Sequence, residues 1–254
     1  MTNFVTLLSY SLSSIMASFQ HHDLDPTCSR CSERFTNVFC KAKFDALQDI
    51  EKEKICSFYK KGEVIFKEGA RPFGIFCLNR GKIKLVKTGD DGREHIVRLV
   101  RPGDPLGYRS LLSGDKYNAS AIAIEDSGVC FIPKELFIGI LAKDSALTFE
   151  MLKLLSEDLK KAELQLTHLA QKPVRERVAE ALLFIKETYG FDIDGITINA
   201  SFSREDIANI VGTATETAIR LLSELNKEGI IKLSGKKISI LNLAQLIKVA
   251  NVFD

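Results

Sequence analysis

"SFSREDIANIVGTATETAIRLLSELNKEGIIKLSGKKISI" fills residues 201–240, and its punctuation decides the C-terminal fold. Ser203 with Asp206 three positions on reads as a helix start, the serine side chain capping free N–H groups. Ile207, Ile210 and Val211 give that helix one apolar face. Gly212 then supplies the backbone freedom to end it and turn steeply into a second helix. This second helix, from about Thr215 to Lys227, buries Ala218, Leu221, Leu222 and Leu225. Its opposite face offers Thr215, Glu216, Ile219 and Arg220. "GIIKLSGKKISIL" then makes two short strands about a Gly-containing turn, a wing. In a winged helix-turn-helix the second helix lies in the major groove of duplex DNA. Arg220 suits guanine O6/N7 and Glu216 can accept from cytosine N4. Ile219 stands where a polar side chain would read a base. Thr213, Thr215, Thr217 and Arg204 suit phosphate oxygens.

Upstream, the texture changes at Pro133. Leu152, Leu155, Leu159, Ala162, Leu166 and Leu169 recur at alternating spacings of three and four, with Lys and Glu on the flanks. A seam this narrow, free of charge, predicts a parallel two-chain coiled coil more readily than a helix lying on its own domain. Pro173 closes that helix and opens another, "VRERVAEALLFIKETYG", stopped by Gly190. Before Pro133 the chain is different again. Ten of its 16 glycines fall between Gly62 and Gly128, and the short Val-, Ile- and Phe-rich segments between them read as strands of an all-β barrel or sandwich. "TGDDGRE" is a hairpin turn.

Composition sets outer bounds. The 254 residues are 45% hydrophobic and 27% charged, as in a soluble globular protein of one or two domains. Net charge is +2, and residues 171–254 carry eleven Lys/Arg against eleven Asp/Glu, so DNA binding rests on the motif and not on bulk charge. No apolar run approaches the length of a membrane span. The opening "MTNFVTLLSYSLSSIMASFQ" has no Lys or Arg before its apolar part, which argues against a secretory signal and for an extension, with Met16 an alternative start. The compartment expected is therefore the reducing cytoplasm, where cysteines serve metals or redox chemistry more than structural disulfides.

These motifs carry a resemblance. Through "KKGEVIFKEG", "GKIKLVKTGDDGREHIVRLVRPGD", "VRERVAEALL" and "SREDIANIVGTATETAIRLLSELNKEGII", the chain resembles the Crp/Fnr family of bacterial transcription regulators over roughly residues 41–254. The resemblance is nearest to the Fnr-like, oxygen-sensing branch. It implies an α+β fold in four parts: an N-terminal extension with a Cys cluster (1–40), a β-roll sensor resembling a cyclic-nucleotide-binding jelly roll (41–142), a dimerisation helix (143–171) and a winged helix-turn-helix (172–254). It also implies a homodimer on a two-fold-symmetric duplex site, placed to meet RNA polymerase, and no catalysis.

For the sensor, the resemblance implies two alternatives. Cyclic-AMP-binding members carry Gly-Glu and, some ten residues later, Arg-Ser/Thr. In "LGYRSLLSGDKYNASA" those positions hold Tyr108, Asn118 and Ala119, so no cyclic AMP is expected, although Arg109 and Lys116 lie near. The oxygen-sensing branch binds a 4Fe–4S cluster through an N-terminal Cys group and one distant Cys. Cys28, Cys31 and Cys40, with Cys130 in "DSGVCFIP", match that arrangement, with a wider gap before Cys40 than is usual. A thiol/disulfide switch, structural zinc, a small-molecule effector and idle cysteines stay open beside it. A thiol oxidoreductase built on Cys28-x2-Cys31 would need a surrounding βαβ pattern, which the sequence lacks. Cys77, between apolar residues, reads as core, and Cys56 as filler rather than a spare ligand. His21 and His22 read as a solvated pair.

Overall fold

The computed structural model describes Cys28, Cys31 and residues 38–252. The side chain of Cys40, together with Met16, His21 and His22, lies outside the described residues. A 3-10 turn (Val38–Lys41) and helix α1 (Phe44–Glu53) precede eight strands. These are β1 (Ile55–Tyr59), β2 (Val64–Phe66), β3 (Gly74–Arg80), β4 (Ile83–Thr88), β5 (Glu94–Val100), β6 (Pro105–Leu106), β7 (Ser120–Ala123) and β8 (Ser127–Pro133). They form two antiparallel four-stranded sheets, ordered β1-β8-β3-β6 and β2-β7-β4-β5. The turn between β4 and β5 closes with the Gly89 N–H on the Arg93 carbonyl at 2.8 Å, and Gly92 takes φ 79° as the Asp-Gly signal requires.

Alternation along the strands gives the β-roll two cores. Leu78, Ile83, Val100, Leu106, Ala121 and Val129 fill the interior. Ile75 and Ile132 face the other way and pack with Phe39, Ile50, Phe137, Leu147 and Met151 beneath the helices. A short helix α2 (Tyr108–Ser113) links β6 to β7.

The run after Pro133 forms two helices, α3 (Lys134–Lys143) and α4 (Ser145–Gln171). Asp144 separates them, its carboxylate accepting from the N–H groups of Ala146 at 3.1 Å and Leu147 at 3.2 Å. The same carboxylate accepts from Lys43 N–H at 2.8 Å, tying the start of α1 to the start of α4. These backbone donors, Lys43 foremost, hold the Asp144 carboxyl below its ordinary pKa. At 27 residues α4 is roughly 40 Å long. Its seam residues Leu152, Leu159 and Leu166 are 55%, 60% and 69% exposed on the single chain, Ala162 is also exposed, and Leu155 is half-buried. Leu169 approaches the tight turn at Gly212, where an added Cβ would lie 3.4 Å from its Cδ2.

The C-terminal part runs α5 (Val174–Tyr189), α6 (Arg204–Val211), α7 (Thr215–Lys227), β9 (Ile231–Ser234), β10 (Lys237–Ile240) and α8 (Leu243–Ala250). Val178, Leu182, Ile185, Ile207, Leu222, Leu225 and Leu246 are its buried centre. Val86, Ile96 and Leu99 of the β-roll join the same cluster. Lys84 pairs with Asp206 at 2.5 Å and the His95 Nδ1 bonds the Asn209 carbonyl at 2.7 Å, so α6 rests on β4 and β5.

Candidate nucleic-acid interface and sulfur site

The reading head forms as its local signals dictate. Ser203 Oγ accepts from Asp206 N–H at 2.9 Å, and the Asp206 carboxylate accepts in return from Ser203 N–H at 2.9 Å. Gly212 ends α6 at φ 69°, a left-handed conformation that glycine adopts without strain. In α7, Ala218, Leu221, Leu222 and Leu225 are buried. Glu216, Ile219 and Arg220 are exposed on the outer face, with Thr213, Thr215 and Thr217 half-exposed beside them. Arg220 is 64% exposed at its side chain and pairs with Glu224 at 2.6 Å, one turn along. Arg204 is half-buried and donates to the Gly235 carbonyl at 3.0 Å, pinning the wing turn to α6. That tether was not legible in the sequence, where only its charge showed.

The sulfur atoms gather where β1, β8 and β3 run side by side. The register sets Cys56 opposite Cys130 on one edge of β8 and Cys77 opposite Cys130 on the other. Cys28, Cys31, Cys77 and Cys130 line one cavity of about 50 Å³, roofed by Phe39, Leu47 and Ile50. Lys54 Nζ donates to Cys28 Sγ at 3.2 Å, and Asn79 Nδ2 donates to Cys31 Sγ at 3.4 Å. Burial, and next the neighbouring Cys28 and Cys31, push the Cys77 thiol up to about 12.

Two sequence expectations need correcting. Cys56 is not filler, because it is joined to Cys130 in a disulfide between adjacent strands with Cα atoms 4.0 Å apart. Cys77, read as core, does pack against the apolar cluster beneath the helices, on the face opposite the inward Leu78 and toward Cys28 and Cys31. Cys130, expected as a free thiolate, is engaged by Cys56 in this state.

Four cysteines line this cavity, one of them held in the disulfide; an iron–sulfur cluster takes one thiolate per iron. Among the described residues, and with Cys130 held by Cys56, no three His, Cys, Asp or Glu side chains are grouped to hold a metal ion.

Tyr108, at the start of α2, is buried and engaged from within the chain. The Tyr108 hydroxyl bonds the Asp158 carboxylate of α4 and receives Arg98 Nη1 at 2.9 Å. Arg109 Nη2 reaches Asp158 at 2.6 Å, and Arg98 lies 3.5 Å from it. Burial opposes ionisation of Asp158, yet Arg98, the Tyr108 hydroxyl and Arg109 together hold its pKa below the ordinary value. One internal carboxylate thus meets two guanidiniums and a phenol.

Comparison with known proteins fits this geometry. Residues 57–144 match the cyclic nucleotide-binding domain, and residues 176–249 the Crp-like helix-turn-helix domain. The fumarate and nitrate reduction regulatory protein of Vibrio cholerae is 31% identical over 196 residues, 76% of this chain and 77% of the relative. The chain belongs to the Crp/Fnr family. The cyclic AMP receptor protein of Thermus thermophilus is 28% identical over 76% of this Crp/Fnr chain and 86% of its own length. The crystal structure of a CRP/FNR-family transcriptional regulator, also from Thermus thermophilus, superposes at a TM-score of 0.66, with 27% identity, covering 78% of this chain and 99% of that one. The regulator therefore has the β-roll, long helix and C-terminal helix-turn-helix read from its sequence, and is a DNA-binding transcription regulator, not an enzyme. No described helix is long and apolar enough to cross a membrane.

Proposed function

We propose that this regulator is a homodimer whose two α7 helices read a two-fold-symmetric duplex site, and that an iron–sulfur cluster at the cysteine cavity gates it. One observation carries the gating. Cys28 and Cys31 arrive from the N-terminal segment and Cys130 from the β-roll, 99 or more residues away in sequence, to line the same cavity. Thiolates bind iron well because soft sulfur suits it. When bound, the cluster would supply a charge and packing change that oxidation removes. The chain's own residues relay it. Phe39 in the cavity roof meets Phe137 of α3 edge-on at 6.3 Å, and the Asp144 carboxylate couples the start of α1 to that of α4. A shift of the roof therefore bears directly on the helix that sets the spacing of the reading heads.

The test is iron and acid-labile sulfide analysis of protein purified and reconstituted without oxygen. Brown protein with stoichiometric iron is the expected result, and colourless iron-free protein after reconstitution counts against the cluster. A second reading has its own observation. The Cys56–Cys130 disulfide is the oxidised half of a thiol/disulfide switch, needing two electrons and two protons from a dithiol to open. Two free thiols gained per chain on reduction, with no iron taken up, would favour it.

A cyclic nucleotide has no place in this proposal. Tyr108 stands where a carboxylate would hold ribose hydroxyls, and Arg98 and Arg109 are already paired with Asp158 within the chain.

At the duplex, Arg220 carries the sharpest expectation. Arg220→Ala should cost about 1–3 kcal/mol and relax preference at one base pair. Binding titrations against half-sites varied one base at a time check this, and uniform weakening on every sequence would remove Arg220 from base reading.

A further inference from the structure

We infer that Cys77 of β3 is the fourth thiolate of this cluster, completing a set of Cys28, Cys31, Cys77 and Cys130 without Cys40. The assignment rests on the iron–sulfur reading and sharpens it. Two ligands come from the N-terminal segment, and two from facing positions on neighbouring strands of one sheet.

The strand register makes the case. Cys77 and Cys130 are direct cross-strand partners. Side chains at such positions leave the sheet on the same face, with Cβ atoms about 4.5–5.5 Å apart. That face is the one beneath α1, since Ile75 and Ile132, two residues from Cys77 and Cys130, pack there with Ile50 and Phe39. Cys28 and Cys31 close the opposite wall of the same cavity.

The polar surroundings suit thiolates. Lys54 and Asn79 both point N–H groups at sulfur, on Cys28 and on Cys31. Lys54 follows α1 and Asn79 belongs to β3, so the donors are held by rigid elements on both sides of the cavity. An ordinary core cysteine needs no such company.

Cys56 has a separate part. Bonded to Cys130, it withholds one ligand. A dithiol reductant delivering two electrons and two protons cleaves that bond, leaves both cysteines as thiols, and is itself converted to a disulfide. Cys130 is then free to release its proton to solvent and bind iron as a thiolate, while Cys56 stays as an uncoordinated thiol on β1, across β8 from Cys77.

The experiment is anaerobic reconstitution of the full chain with ferrous iron, sulfide and dithiothreitol, reading iron, sulfide and visible absorption per chain. The wild type should hold about four irons. Cys77→Ala and Cys130→Ala should lose at least about five-fold in bound iron, whereas Cys40→Ser and Cys56→Ser keep the wild-type amount. Alanine packs as a small apolar residue, and circular dichroism melts establish that each variant is folded. Wild-type iron in folded Cys77→Ala, or its loss in Cys40→Ser, overturns the assignment. An iron-free wild type fails earlier, at the cluster itself, and so is told apart from a wrong fourth ligand.

Discussion

Replacing Asp158 with Ala is expected to lower stability by about 3 kcal/mol, because it leaves a buried cation without its anion. Asp158 is 7% exposed and is met by Tyr108, Arg98 and Arg109. Truncation strands the Arg98 guanidinium, whose side chain is only 17% exposed, and a fully buried phenol. Arg109 adds less, since its side chain is nearly half open to water and well screened. In a chain of this size the loss corresponds to a melting temperature lower by roughly 6–12 °C. Asp158→Asn, which keeps shape and an acceptor oxygen but not the charge, should fall between the two. The pH dependence has a definite sign. The folded pKa of Asp158 lies below its unfolded value, so its contribution is in place above the unfolded pKa and is lost as pH falls through the folded one. The gap between wild type and Asp158→Ala should therefore narrow in acid. A variant melting within about 2 °C of wild type at neutral pH would show that the network is not holding the β-roll to α4.

That network explains where sequence reading stops. In "LSEDLKK" Asp158 sits among charged flanks and looks solvated. Its partners lie 49 to 60 residues upstream, and nothing local announces them. The cysteines pose the same difficulty in another form. "GIFCLNR" is apolar on both faces of β3, because one face fills the barrel and the other lies under α1, so alternation alone does not say which way Cys77 points. The order β1-β8-β3 decides it, and strand order depends on pairings between residues up to 76 positions apart, Ile55 with Phe131. The reading head is the opposite case. Its capping box, the glycine turn, the buried leucines of α7 and the wing each follow from residues within a few positions of one another, and the structure has all of them. Arg204 is the exception there, because the wing turn that binds it is 31 residues away.

Leu159→Glu should convert the protein to monomers. In a parallel two-fold coil, Leu159 of one chain faces Leu159 of the other, so a single substitution acts twice. Each leucine removed from the seam forfeits about 2 kcal/mol of burial, and two carboxylates are brought face to face where water is excluded. Together these raise the dimer dissociation constant by a factor on the order of a thousand or more. The consequence for DNA is larger than the seam suggests. Two linked heads gain roughly 10²–10⁴ in affinity over one, and that gain vanishes when the heads come apart, although α7 itself is untouched. Sedimentation and binding to a full two-fold site should therefore fail together, while binding to a half-site stays weak and unchanged. Leu164 supplies the control. It is 53% exposed, comparable to Leu159, but lies five residues on, at the heptad position opposite the seam. Leu164→Glu should stay dimeric and keep full-site binding. If Leu164→Glu dissociates and Leu159→Glu does not, the pairing face of α4 is the other one, and the spacing of the two heads must be built around it.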